Sequence, residues 1–233
     1  MYLNYGLYRN YDANVEGNRE MIRCNIVREH LEALGARPQL IMFMTGAGGS
    51  GKSNVISAFF AYCKEFCQNL GAHFDSRTII ITAITGVAAT SIMGETTSKA
   101  LGLTKTSFDS DFIKKYANTR MVLIDEISFC KGKELEQLDR SLKIVKEEPN
   151  LVYGGVHMIF CGDFHQLPPV GEGSIWEDYR VLWHAVINSF IELEGKWRFK
   201  EDEEWGEILG RLRMSTSTSQ DIAVINSRVI EFL

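Results

Sequence analysis

The stretch that most constrains this chain is Gly46-Ala47-Gly48-Gly49-Ser50-Gly51-Lys52-Ser53. It follows an apolar run, Leu40 to Met44, and precedes a helical pattern from Asn54 to Ala61. Strand, glycine loop and helix is the order that a phosphate-binding loop requires. Glycines reach backbone angles that a Cβ forbids, so successive N–H groups can curl round an anion. The following helix points its positive end at the same place. In such a loop Lys52 reaches the β- and γ-phosphates and Ser53 holds the Mg²⁺ that bridges them. A structural glycine turn is the competing reading.

Composition sets the outer limits. A chain of 233 residues with 45% hydrophobic content can bury a full core. Its apolar runs fall short of the roughly 20 residues of a membrane span, and the N-terminus lacks a signal-peptide core. A soluble, intracellular protein is expected. Five cysteines are present. Cys24, Cys130 and Cys161 stand alone and Cys63 and Cys67 sit a helical turn apart, which predicts free thiols rather than zinc or disulfides. The net charge of −5 argues against bulk electrostatic binding of nucleic acid. A local basic stripe is still open at Lys99, Lys105, Lys114, Lys115 and Arg120, where a solvated face explains the charges equally well.

In chain order, residues 1 to 17 form a lead-in with Tyr2, Tyr5, Tyr8 and Tyr11. Asn18 to Leu34 reads as a helix with Met21, Ile22, Ile26, Val27, Leu31 and Leu34 on one face, ended by Gly35 and Pro38. The first strand (40–44), the glycine loop and a helix to Leu70 follow, with Gly71 as its stop. Thr78–Thr82 is a β-branched run fit for a strand buried on both faces. Residues 83 to 90 turn into a small-residue helix. Gly94–Ser98 is expected as a loop, Lys99–Leu103 as a short helix. Met121–Ile124 is a third strand, followed by a helix from Lys131 to Lys146 that Pro149 stops. Gly155–Cys161 and Phe190–Leu193 complete the strands. Residues 202 to 213 read as a helix, and Thr218 with Asp221 forms a capping box for another.

Strands alternating with helices predict an α/β fold, a parallel sheet with helices on both faces. Ligands in such sheets bind beyond the carboxyl ends of the strands. The glycine loop, Asp125-Glu126 and Gln166 each follow a strand, so one sheet edge should carry all three.

Four apolar residues followed by Asp125-Glu126 make a Walker B pattern. Asp125 can hold Mg²⁺, because a hard cation prefers carboxylate oxygen, and Glu126 would orient and deprotonate an attacking water. A helix N-cap is the alternative use of such an Asp. Gln166 could touch both the γ-phosphate and that water, or be an ordinary residue of a proline-rich loop. Arg198, beside Trp197, could stabilise charge on the γ-phosphate or be a surface arginine. His165 is a weaker base than Glu126, and the other histidines have no metal-ligand spacing.

Taken together, these motifs resemble the first motor domain of superfamily 1 DNA helicases of the petite-integration-frequency (Pif) family. The glycine loop is similar to the family's first motif, and Thr82–Ala89 with Ile92-x-Gly94-x-Thr96 to its second. Asp125-Glu126-Ile127-Ser128 is similar to its Walker B box. Gly162-Asp163-Phe164-x-Gln166-Leu167-Pro168-Pro169-Val170 is the most specific match. Leu193-x4-Arg198 with Leu212-Arg213 is similar to its arginine-bearing motif. The chain has Ser98 where the family usually has His, and Phe199 where the family has Gln.

The resemblance implies a RecA-like P-loop NTPase fold, with the Gln166 strand lying between the other two motif-bearing strands. It implies ATP and Mg²⁺ as cofactors, with Lys52, Glu126, Gln166 and Arg198 catalytic and Ser53 and Asp125 on the metal. It implies 5′-to-3′ movement on single-stranded DNA and separation of duplex DNA, with Thr82–Ala89 and Gly94–Ser98 along the strand. Residues 18–195 would form the ATPase domain and 196–233 its helical close. The chain stops at Leu233, where a second motor domain should begin, which suggests a fragment of a longer enzyme. A nucleotide-gated single-strand-binding module without unwinding is the alternative. The family implies a nuclear or mitochondrial role in repair, recombination or telomere maintenance.

Overall fold

In the central strands, successive side chains feed two different cores. Phe43, Val122, Ile124, Met158 and Phe160 belong to one buried cluster, while Met44, Leu123, Ile159 and Cys161 belong to another. Alternation with period two puts these sets on opposite faces of a sheet. Both faces are therefore apolar, and both must be covered.

The computed structural model describes residues 39 to 228, apart from residues 72, 106, 167, 170, 172–173, 179–181 and 196. The expected lead-in, the helix at 18–34, Cys24 and His30 lie outside the described residues.

The elements are β1 Ile41–Gly46, α1 Lys52–Asn69, β2 Ile79–Ala83, α2 Gly86–Ser91, β3 Glu95–Thr96, α3 Thr97–Leu101, α4 Ser110–Tyr116, β4 Met121–Asp125, α5 Gly132–Lys146, β5 His157–Gly162, α6 Ile175–Asp178, β6 Ser189–Leu193, α7 Glu203–Arg213 and α8 Ser219–Ser227. The strands form one sheet in the order β3-β2-β4-β5-β1-β6. Every pairing in it is parallel. β5, which leads to Gln166, lies between β1 and β4 as the resemblance implied.

One face is covered by α5, whose Leu135, Leu138 and Leu142 are buried with Tyr153, Ile175 and Trp183. The other is covered by α1 through Ile56, with Phe59 packed beside it. Burying one such side chain is worth about 1.5–3 kcal/mol, so these contacts hold the sheet's carboxyl edge in place.

Two expectations need correction. Gly94–Ser98 is not a loop: Glu95 and Thr96 pair with Thr82 and Ala83 as β3, and α3 begins at Thr97. The buried Thr97 hydroxyl donates to Thr82 Oγ1 at 3.1 Å, which gives this polar segment its place on the sheet. The helix after the Asp-Glu pair does end at Lys146, but not because of Pro149. Glu147 turns left-handed (φ 56°), its N–H reaches Ile144 O, and the Glu148 N–H reaches Lys143 O. That closure ends a helix before any proline is needed. The α7 start is capped by Asp202, which accepts from the Trp205 N–H at 3.0 Å. The Thr218–Asp221 capping box forms as its spacing predicts.

Candidate active site

The glycine loop leaves β1 and enters α1 through two left-handed glycines, Gly49 (φ 86°) and Gly51 (φ 96°). Gly49 is needed for space as well as angle, since a Cβ there would lie 2.4 Å from Arg198 Cβ. Gly51 caps α1 with no side-chain hydrogen bond to the helix. The first-turn N–H groups thus face the loop, where an anion can accept them. Lys52 Nζ lies across the loop and donates to Gly46 O at 2.6 Å and Ala47 O at 3.3 Å.

The opposite wall is the end of β4. Asp125 is buried and its Oδ1 accepts the Glu126 N–H at 2.9 Å. Glu126 itself is left-handed (φ 56°). A non-glycine residue holds that conformation only when its surroundings over-determine it. Here Ile127 and Ser128, both buried, fasten the turn that follows. Glu126 Oε2 is buried without a hydrogen-bond partner. The N-cap reading of Asp125 does not hold, because Glu126 and Lys131 occupy the N-cap positions of the two helices that follow.

Burial pushes the carboxyls of both Asp125 and Glu126 above the usual range. The charge of Asp125 raises Glu126 further, while Lys52 opposes both shifts and Arg198 opposes that of Glu126. A hard divalent cation fits this setting. Ser53 and Asp125 line the same cleft, they offer hydroxyl and carboxylate oxygens, and the buried carboxylate gains from positive charge beside it.

One cleft of about 270 Å³ is lined by Gly48, Gly49, Gly51, Lys52, Ser53, Asn54, Asp125, Glu126, Gln166, Trp197 and Arg198. Every side chain that the sequence singled out for phosphate, metal or water therefore meets there. Gly46, Ala47 and Ser50 shape the loop from behind: the Ser50 N–H donates to Ala47 O at 3.0 Å, and Ser50 is itself buried. Arg198 is no stray surface arginine, since a Cβ on Gly48 would lie 3.6 Å from its Nη1. His165 joins through its backbone, donating to Asp163 Oδ1 at 3.0 Å. His157 accepts from the Leu40 N–H at 2.9 Å through Nδ1, a fold contact. Among the described residues no cluster of three His, Cys, Asp or Glu side chains could hold a metal ion.

Sequence reasoning assigned no role to three residues that the structure brings in. Trp197 lines the cleft, its backbone N–H donates to Gly49 O at 3.1 Å, and its ring faces Gly51 and Gly195. Its signal was available: an aromatic beside an arginine, with small glycines to receive it. Asp163 and Arg213 form an ion pair behind Gln166. Fifty residues separate them, and no spacing rule connects such positions.

Exposed apolar side chains lie in or between the segments expected along a nucleic-acid strand, Thr82–Ala89 and Gly94–Ser98. Val87 on α2 is 86% exposed and Met93 just beyond it 92%. The basic window packs partly on its own aromatic rings, with Lys105 Nζ 4.4 Å from the Phe112 centroid and Lys115 Nζ 5.6 Å from that of Tyr116.

The sheet order and the glycine loop at its carboxyl edge define a RecA-like P-loop NTPase fold. The PIF1-like helicase profile matches residues 23–208, and the chain belongs to that family. It is 27% identical over 188 residues to the ATP-dependent DNA helicase PIF1 of Saccharomyces cerevisiae, covering 74% of this chain and 21% of that protein. It is 26% identical over 207 residues to the yeast ATP-dependent DNA helicase RRM3, covering 82% of this chain and 27% of that protein. This chain thus spans roughly a quarter of the length of these relatives. Its structure is similar to that of the Candida albicans Pif1 helicase, with a TM-score of 0.63 at 26% identity, covering 83% of this chain and 44% of that one. It also resembles the fold of a Bacteroides Pif1 helicase solved with ADP-AlF3 and single-stranded DNA, with a TM-score of 0.65 at 23% identity, covering 88% of this chain and 50% of that one. Among the described residues no helix is long and apolar enough to cross a membrane.

Proposed function

We propose that the chain is the first motor domain of an ATP-dependent DNA helicase, hydrolysing ATP to move 5′ to 3′ on single-stranded DNA. One observation carries the reading: Lys52, Ser53, Asp125, Glu126, Gln166 and Arg198, drawn from four separate segments, line one cleft at the carboxyl edge of a parallel sheet.

In this reading the loop N–H groups and Lys52 bind the β- and γ-phosphates, and Ser53 with Asp125 holds Mg²⁺. When bound, that ion neutralises charge on the phosphate oxygens. Glu126 takes a proton from the attacking water, a task its raised proton affinity suits. Gln166 orients that water, and Arg198 stabilises the charge that develops on the γ-phosphate. Thr82–Ala89 and Gly94–Ser98 lie along the DNA strand in this reading, which the exposure of Val87 and of nearby Met93 supports. A second motor domain closing on the cleft is part of the reading, as are residues 18–195 as the ATPase domain with 196–233 as its close. Separation of duplex DNA, a role in repair, recombination or telomere maintenance, and a nuclear or mitochondrial site of action rest on family membership alone.

The test is ATP turnover by the 233-residue chain with and without a single-stranded oligonucleotide, beside Lys52→Ala. Turnover that the strand stimulates and the substitution removes supports the motor. Nucleotide and strand binding with no turnover, in this chain and also when a second motor domain is joined to it, overturns it in favour of the nucleotide-gated binding module. Polarity is read with a protein carrying both motor domains, by attaching the strand 5′ or 3′ to a duplex.

A further inference from the structure

Gln166 is an exposed side chain on a loop, yet its amide is anchored. Its Nε2 donates to Asp163 Oδ2 at 3.2 Å, and its backbone N–H donates to Asp163 O at 3.0 Å. Asp163 is 1% exposed. Besides Gln166 it accepts from the His165 N–H at 3.0 Å through Oδ1, and from Arg213 Nη1 through Oδ2, the same oxygen that Gln166 uses. Burial alone would push its carboxyl up, but the hydrogen bonds from Arg213, His165 and Gln166 outweigh that and hold it below the usual range.

An ionised carboxylate only accepts, so it can hold an amide by its nitrogen and never by its oxygen. The pairing therefore decides which way round the Gln166 amide sits: Nε2 faces Asp163, and Oε1 is left as an acceptor for a proton-bearing group such as a water. A buried carboxylate without its cation would take up a proton or lose its place. A protonated Asp163 could donate to Oε1 and turn the amide round.

We propose that Arg213 is a positioning residue, which through Asp163 fixes the orientation of the Gln166 amide and so ties the end of α7 to the hydrolysis cleft. This rests on the motor reading for the use made of Gln166, but not for the relay itself. Arg213 closes α7, and α7 is joined to α8 by a bidentate pair, Arg211 to Asp221 at 2.8 and 2.7 Å. A shift of these helices would thus reach Gln166 through one ion pair. Arg213 does not line the cleft, and its action is wholly through Asp163.

The experiment uses the 233-residue chain. The side-chain NH₂ resonances of Gln166 are identified by their loss in Gln166→Ala. They are then followed in Arg213→Met, Arg213→Lys and the neutral pair Asp163→Asn/Arg213→Met. The carboxamide introduced by Asp163→Asn can donate as well as accept, so the pair enforces neither orientation of the Gln166 amide. The pair also decides the matter should Arg213→Met alone not fold. Expected is a dispersed, slowly exchanging NH₂ pair in the wild type and in Arg213→Lys, moved toward solvent-exposed positions in the other two. Unchanged Gln166 resonances in the neutral pair overturn the relay, whatever the chain does with ATP. In turnover, Arg213→Met should lower kcat about 10- to 100-fold with KM little changed, the mark of lost orientation rather than lost binding. A matching fall in KM-derived affinity would point to a structural role and overturn positioning. Absence of ATP hydrolysis both in this chain and when a second motor domain is joined to it would overturn the motor reading, while the resonances would still judge the relay.

Discussion

Two loops face each other across the cleft, and they are held by different means. The loop 46–53 is shaped by its own backbone: two left-handed glycines, a turn from Ser50 to Ala47, and a lysine that folds back on its own carbonyls. The loop that carries Gln166 is shaped from outside, by a buried aspartate whose charge is balanced by an arginine fifty residues away. The first can bind phosphate wherever a strand and a helix flank it. The second is correct only when α7 is in place. Such a division suits a machine in which phosphate binding is constant and the response to it depends on the state of a neighbouring element.

The largest break in this comparison should come from Lys52→Ala. Loss of the ammonium removes charge that the backbone cannot replace, and ATP turnover should fall by at least about 10²–10³-fold. Thermal unfolding should move by no more than about 2 °C, because among the described residues the hydrogen bonds of Lys52 go to its own loop.

Glu126→Gln should fall in a similar range, with turnover down by about 10²–10³-fold and nucleotide binding kept, which makes the loss smaller in total. The wild-type pH profile sharpens the point. Burial and the charge of Asp125 raise the Glu126 carboxyl, and a base works only when deprotonated. Activity should therefore rise with pH through a midpoint above the ~4.3 of an ordinary glutamate, and fall away below it. A kcat/KM profile with its acid limb at or under that value would remove Glu126 as the base.

Gly49→Ala tests the local loop. Its Cβ would meet Arg198 at a left-handed φ, a strain of about 1–3 kcal/mol that should appear as a roughly 5- to 150-fold loss of nucleotide affinity by titration. The equivalent challenge to the other loop should do almost nothing. His165→Ala keeps the backbone N–H that Asp163 uses, so stability should change by less than about 0.5 kcal/mol, as read by denaturant unfolding. A large effect there would mean that the Gln166 loop is shaped locally after all.

Much of this is legible in the chain because it is local. The β-branched run at 78–82 and the apolar run at 121–124 could only be buried strands. The glycine spacing between a strand and a helix suits a phosphate loop, and Asp125-Glu126 follows directly on a strand. Two segments mislead where local signals are weak. Glu95-Thr96 looks like a loop because two polar residues carry no period, and it becomes β3 only by pairing with Thr82 and Ala83. Pro149 looks like the stop of α5, although Glu147 closes the helix first at a positive φ that nothing in its side chain announces.

The sequence by itself determined that a phosphate loop, an acidic pair and a glutamine would follow three strands of a parallel sheet, since strand alternation and turn chemistry act over a few residues. Only the tertiary structure decided that Arg198 and Trp197 close on Gly48, Gly49 and Gly51, and that Arg213 neutralises Asp163. Those contacts depend on which strands are neighbours. The order β4-β5-β1-β6 is settled by packing two apolar faces at once, and that is a property of the whole chain rather than of any stretch within it.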